Sequence, residues 1–193
     1  PAVRTGAHAE RWVPRGLPDV VSTPIEVEGA AVTPVGTPGW YLERDGFAWG
    51  GIGVAAVWYG GAVGLARRLA QPAGRELDQV AHLHLGAVDQ HLTASRAVLA
   101  EAAAVVDSGG VTGSAAAALA TRVRSVVVAS AEGVLAACEH ALGPGPQVGD
   151  ASYAAALADL RLYLRQHHAE RDLAALGRQA EQEGPWWTTR SAT

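Results

Sequence analysis

The stretch GFAWGGIGVAAVWYGGAVGLARR, residues 46–68, carries no charge between Phe47 and Ala66, yet glycine recurs in it at an ordered spacing. Gly46, Gly50, Gly53, Gly60 and Gly64 fall four and three residues apart, with Val57 filling the one gap. On a helix these positions form one seam. Trp49, Ile52, Ala56, Tyr59 and Val63 line a different face with the same rhythm. Each interior glycine costs about 0.5–1 kcal/mol relative to alanine. The seam is therefore expected to lie where another backbone, or a flat ligand, comes very close.

Around this helix the chain changes character. Before residue 46, prolines at 1, 14, 18, 24, 34 and 38 interrupt short β-branched runs. Ile25-Glu26-Val27-Glu28 alternates with period two, which predicts a short half-exposed strand. Gly36-Thr37-Pro38-Gly39 is turn chemistry. So short a β segment is not stable alone and must lean on something else. After residue 46 the pattern is helical almost throughout. The seam helix spans roughly 47–70 and stops at Pro72 and Gly74. A second, roughly 75–107, has an apolar stripe of Leu77, Ala81, Leu85, Val88, Leu92, Leu99 and Val106, closed by Ser108-Gly109-Gly110. A third, roughly 113–142, carries Leu119, Val123, Val126, Val134 and Ala137, with Ser130 as the one polar interruption. It ends at Gly143-Pro144-Gly145-Pro146. A fourth starts near Asp150, a helix-capping residue type, and carries Tyr153, Leu157, Leu160 and Leu164. Gly177 marks a break in it, and Gly184-Pro185 a stop. Long helices with short connections predict an all-α fold, an antiparallel four-helix bundle preceded by a short β-containing segment.

Composition removes several function classes. With 193 residues, 49% of them apolar, the chain can bury a core. A net charge of −4 without any basic run gives nucleic acid no electrostatic footprint. The single cysteine, Cys138, precludes an internal disulfide. The chain has no methionine and does not open with a signal peptide, so a processed or partial chain is expected. The first helix is long enough to cross a bilayer. However, six of its 20 uncharged residues are glycine, Trp58 and Tyr59 sit mid-span, and the other helices are amphipathic. A soluble bundle is therefore the expectation, with no membrane.

Metal binding has little support. No Glu has a His three positions later, the pair that bundles use for di-iron sites. His82 and His84 point to nearly opposite sides of a helix, and His91 shares a face with His84 without a carboxylate. The sequence predicts packed or solvated histidines there and no metal. His167-His168, with Glu170 and Asp172, is a denser cluster. His167 continues the stripe of the fourth helix and should face the interior, while Arg165, His168 and Asp172 share the neighbouring face. Such a histidine is either an acid–base group or a structural one held by an aspartate.

Gly46-Phe47-x-Trp49-Gly50-Gly51-Ile52-Gly53-Val54-Ala55-Ala56, followed by Trp58-Tyr59-Gly60-Gly61-Ala62, resembles the start of the C-terminal helical domain of bacterial acyl-CoA dehydrogenase-like proteins. Tyr163-Leu164-Arg165-Gln166-His167-His168-Ala169-Glu170-Arg171-Asp172-Leu173-Ala174 resembles a stretch near that domain's end. The resemblance covers roughly residues 20–180. It implies a remnant of a middle β-domain over residues 1–46, the C-terminal bundle over 47–183 and a tail over 184–193. Members are FAD-dependent enzymes that dehydrogenate acyl-CoA thioesters, so the resemblance implies FAD and an acyl-CoA substrate. It also implies a cytoplasmic location, a homo- or hetero-oligomer and an electron-accepting flavoprotein as a further partner. The N-terminal helices of the family are missing, so this chain is expected to be an incomplete copy, inactive alone.

The family has an arginine at the end of the first bundle helix and a glutamine eleven residues on, both reaching the FAD of a neighbouring subunit. Arg68 and Gln79 have that spacing, although Gln71-Pro72 replaces the usual Phe-Gly. A Gly-rich loop at the end of the third helix meets the adenine end of FAD, and Gly143 matches it. Glu139 stands where a glutamine is usual and would repel phosphates. The family's base is a glutamate; alignment on Tyr163 puts Gln166 or His167 there, and His167 is taken as the base. The Arg165-x-His167 spacing is also similar to that of flavin monooxygenases sharing the fold. Other relatives have lost chemistry and act as non-catalytic partner subunits.

Overall fold

The structure, a computed structural model, describes residues 2–4, 12–70 and 77–184. β1 (Ala2–Arg4) and β2 (Glu26–Glu28) pair antiparallel, with Val3 opposite Val27. The helices are α1 (Trp40–Glu43), α2 (Asp45–Ala70), α3 (Gln79–Asp107), α4 (Gly113–Leu142), α5 (Gly145–Gly149), α6 (Ala151–Leu164) and α7 (Glu170–Glu183). The fold is an all-α bundle of α2, α3, α4 and α6 behind a short β-containing lead-in. The predicted start of the second helix at Arg75, its Pro72-Gly74 stop signal and most of the tail lie outside the described residues.

Local chemistry sets the helix ends. Asp78 caps α3 by accepting the Ala81 N–H at 2.8 Å. At its other end Gly109, with φ of 67°, donates to Val106 O, and Gly110 donates to Val105 O. That left-handed stop satisfies carbonyls the helix leaves open. The Asp45 carboxylate takes the Gly113 N–H at 2.6 Å, so the beginnings of α2 and α4 lie together. α3 runs back between them in sequence, and α6 returns from the far end.

The core lies along α4, which packs against both α2 and α3. It buries Val123, Val127, Ala131, Val134 and Cys138. Ser130, the polar interruption of its stripe, is buried with them. From α6, Tyr153, Leu157, Leu160 and Leu164 are all buried, as their spacing predicts. His91 of α3 packs on Gly133 of α4, where a Cβ would collide with the imidazole. The lead-in leans on α6: Gly16 lies against the Ala158 carbonyl, and Leu17 N donates to Asp159 Oδ1. α2 and α4 are each long and apolar enough, by length and composition, to cross a membrane.

Two expectations need correction. The glycine seam of α2 packs against no backbone: Gly53, Gly60 and Gly64 face open space, and Gly46 and Gly50 border a cavity at the start of the helix. Gly50, Gly53, Gly60 and Gly64 have no heavy atom within 4 Å of where a Cβ would stand. The inward face carries Ala55, Trp58, Ala62, Leu65, Ala66 and Leu69. Burying a Trp or Leu is worth about 1.5–3 kcal/mol each, so these residues dictate how α2 turns. Gly51 and Gly61, outside the seam, are the glycines that packing uses: a Cβ there would lie 3.4 Å from Arg124 Cδ and 3.1 Å from Leu160 Cδ1.

The fourth helix is also divided, at residues 165–169 and not at Gly177, which lies inside α7. Arg165, Gln166 and His167 each donate to the carbonyl three residues back. The His167 ring then accepts the Ala169 N–H on Nδ1 at 3.1 Å. A side chain that satisfies a nearby backbone N–H offers the chain an alternative to continuing the helix. Ala169, at φ of 44°, completes the turn in the left-handed region.

Candidate functional site

His167 lies under this turn with its side chain only 4% exposed. Because Nδ1 accepts the Ala169 N–H, the imidazole proton resides on Nε2. Nε2 has two neighbours, Ser125 Oγ at 3.2 Å and Asp172 Oδ2 at 3.4 Å. The Ser125 hydroxyl donates to Thr121 O at 2.9 Å, so it is free to accept from the imidazole. Ser, His and Asp thus meet, but Ser125 and Asp172 share one ring nitrogen. An activated serine needs them on opposite nitrogens, so this group does not make a nucleophile. Burial pushes the His167 pKa below the ordinary histidine value, with Arg124 and His168 acting in the same direction and Asp172 against it. The ring is a neutral, fully hydrogen-bonded imidazole at neutral pH.

Arg124 of α4 holds the site together. Its Nη2 donates to Gln166 O at 3.0 Å and its Nη1 to Gly51 O at 3.3 Å. The guanidinium lies 4.6 Å from the centre of the Trp58 ring, a cation–π arrangement. Burial lowers its pKa, partly offset by the Asp172 charge. One side chain therefore ties α2, α4 and the 165–169 turn. The edges of Tyr163 and His167 also meet Trp58, at 6.0 and 6.3 Å between ring centres.

In front of this cluster opens a cavity of about 570 Å³. Phe47, Gly50, Gly51 and Val54 of α2 form one wall; Ala117, Ala120, Thr121 and Arg124 of α4 form another. Tyr41 and Arg44 close the side towards α1, and Gln166, His168 and Asp172 close the end. His167 stands behind the cavity wall. Asp172 is the carboxylate that reaches it, while also touching His167 and, at 3.7 Å, His168 Nδ1. Arg44 lies over the ring of Tyr41 at 4.0 Å. Tyr41, Arg44, Thr121 and Arg124 were not picked out from sequence. For Arg124 a signal existed, as a charge at the head of the apolar run of α4 that begins at Val126, which asks for a partner.

The other predicted residues lie at the opposite end of the bundle. Gly51 and Arg68 are about 25 Å apart along α2 at 1.5 Å per residue. Arg68, half exposed, pairs with Asp150 at 2.7 Å. Asp150 in turn caps α6, and bonds from the Ser152 hydroxyl and the Tyr153 N–H hold its pKa below the usual carboxylate range. Gln79 is the first residue of α3 and exposed. Gly143 ends α4 at φ of 65°, with open space where a Cβ would stand. Glu139 is paired with Arg161 and accepts from Gln147 Nε2 at 3.3 Å, so its charge is matched. Arg68, Gln79 and Gly143 thus share one end of the bundle, where Arg68 is paired with Asp150, Gln79 is exposed and Gly143 has open space beside its backbone.

Among the described residues no group of three or more His, Cys, Asp or Glu could hold a metal ion. Comparison with protein-family models, curated proteins and solved structures finds no match to this chain. The functional reading consequently rests on the residues and on how the fold arranges them.

Proposed function

We propose that this chain supplies the C-terminal helical part of an acyl-CoA dehydrogenase-like flavoenzyme, which converts an acyl-CoA thioester to its α,β-unsaturated product. One observation carries the reading. The two stretches that resemble the family, at Gly46–Gly51 and Gln166–Asp172, lie far apart in sequence and wall a single cavity of suitable size for an acyl chain. The absence of side chains at Gly50 and Gly51 leaves room there for a flat or slender ligand.

In this reading the apolar wall of Phe47, Val54, Ala117 and Ala120 excludes water from the acyl chain. Asp172 takes the α-proton of the thioester on a carboxylate oxygen. His167 is a positioning residue: its Nε2–H faces Asp172, while its Nδ1 is spent on the 165–169 turn. FAD, when bound, would accept the hydride from the β-carbon. Arg68, Gln79 and Gly143 would hold the nucleotide end of that group in a neighbouring copy, which makes the enzyme an oligomer. A second reading, a non-catalytic helical partner subunit, draws on the fact that both His167 nitrogens are engaged.

The test is the flavin absorbance of the full-length gene product under anaerobic conditions. Bleaching on addition of acyl-CoA supports dehydrogenation. Flavin that stays oxidised with acyl-CoA but is bleached by an external reductant, and then consumes oxygen, turns the assignment to a monooxygenase. A product that binds no flavin leaves the partner-subunit reading.

A further inference from the structure

We infer that the cavity at the start of α2 takes an amphipathic anion, an apolar chain or ring bearing one carboxylate, gripped by Arg124 and Arg44. The inference concerns the same cavity but goes beyond the dehydrogenase reading, and it rests on the cavity lining alone.

The cavity wall is mostly apolar, yet two guanidinium groups open onto it. Neither has an ion-pair partner among the described residues, although Arg68, Arg161 and Arg165 each have one. Arg124 spends two N–H groups on the carbonyls of Gly51 and Gln166. A guanidinium carries five, so it keeps donors for a ligand. Arg44 is held over the Tyr41 and Trp40 rings at 4.0 and 5.2 Å, which fixes the cation without neutralising it. Asp172, the carboxylate that lines the cavity, is within ion-pair distance of His167 and His168 only, among the described residues. A half-buried guanidinium is stabilised most by an anion that it can meet with two parallel N–H groups. Phe47, Val54 and Ala120 supply the surface for the apolar body of such a ligand.

The experiment compares octanoate, octanol and octylamine, which share a chain and differ in head group, by calorimetric titration of the chain without flavin. Octanoate is expected to bind saturably and at least about tenfold more tightly than octanol, and octylamine more weakly than octanol. Arg44→Gln should weaken octanoate several-fold and leave octanol unchanged. Asp172→Asn, which removes the opposing charge, should tighten octanoate. Circular dichroism checks that each variant keeps its helices. Equal affinity for octanoate and octanol, or no saturable octanoate binding by the folded chain, overturns the inference. Because no flavin is used, binding of octanoate together with unbleached flavin would refute the dehydrogenase reading and leave this one standing.

Discussion

Replacing Gly53, Gly60 and Gly64 of α2 by alanine puts a methyl group into open space at each position, since no heavy atom lies within 4 Å of the added carbon. The helix gains conformational stability without a packing penalty. Each exchange is worth about 0.5–1 kcal/mol in a helix interior, so the triple variant should gain about 1.5–3 kcal/mol. In a chain of this size 1 kcal/mol moves the midpoint of thermal unfolding by about 2–4 °C. The expected rise is therefore about 3–12 °C, read by circular dichroism, with the urea midpoint moving in the same direction. Gly61→Ala is the internal control: its methyl would stand 3.1 Å from Leu160 Cδ1, tighter than ordinary contact. It should gain nothing or lose stability. A triple variant less stable than the parent chain would mean that the seam packs against something in solution, and would refute the outward placement of that face.

Other outcomes follow from the core and the His167 cluster. Gly133→Ala should cost about 1–3 kcal/mol from overpacking against His91, and His91→Ala in the same chain should recover most of it; urea titration of both variants checks this. Burial lowers the His167 pKa below its unfolded value, so the unfolded chain binds the extra proton. The stabilisation is complete above the unfolded pKa and is lost as pH falls through that value towards the folded one. The urea midpoint should drop on acidification more in the parent chain than in His167→Gln; equal slopes would refute the buried neutral imidazole. The Cys138 thiol is fully buried and raised to about 11 by its surroundings, chiefly burial. It should resist thiol reagents in the native chain and react on unfolding; immediate stoichiometric labelling would contradict the packing around α4.

Much of the architecture is written in apolar spacing. Tyr153, Leu157, Leu160 and Leu164 recur at three and four residues and are all buried, while Leu162, off that stripe, is exposed. The same periodicity places His167 in the interior. The glycine spacing of α2 was legible as a seam but not as a direction. A row of small residues marks a face on which backbone is accessible, and only the bulk of Trp58, Leu65 and Leu69 decides which face turns inward. The break at 165–169 could not be read from helix-breaking residue types, because no glycine or proline makes it. It comes from the His167 ring bonding to the Ala169 N–H, a contact made once the imidazole is buried against Trp58 and Ser125. For the same reason the sequence points to His167 as the base, whereas folding places Asp172 on the cavity wall and His167 behind it. Arg124 acts through carbonyls of two distant segments, and carbonyls leave no mark in residue identity.

The central claim is that the carboxylate facing this cavity removes a proton next to a thioester. The most direct measurement is exchange of the acyl α-hydrogen for deuterium in D₂O, followed by mass spectrometry of the acyl-CoA, in the full-length protein and its Asp172→Asn variant. The account predicts exchange in the parent that falls at least about a hundredfold in the variant, the range lost with a general base. Exchange at the parent rate in Asp172→Asn, or none in the flavin-loaded parent, would contradict it.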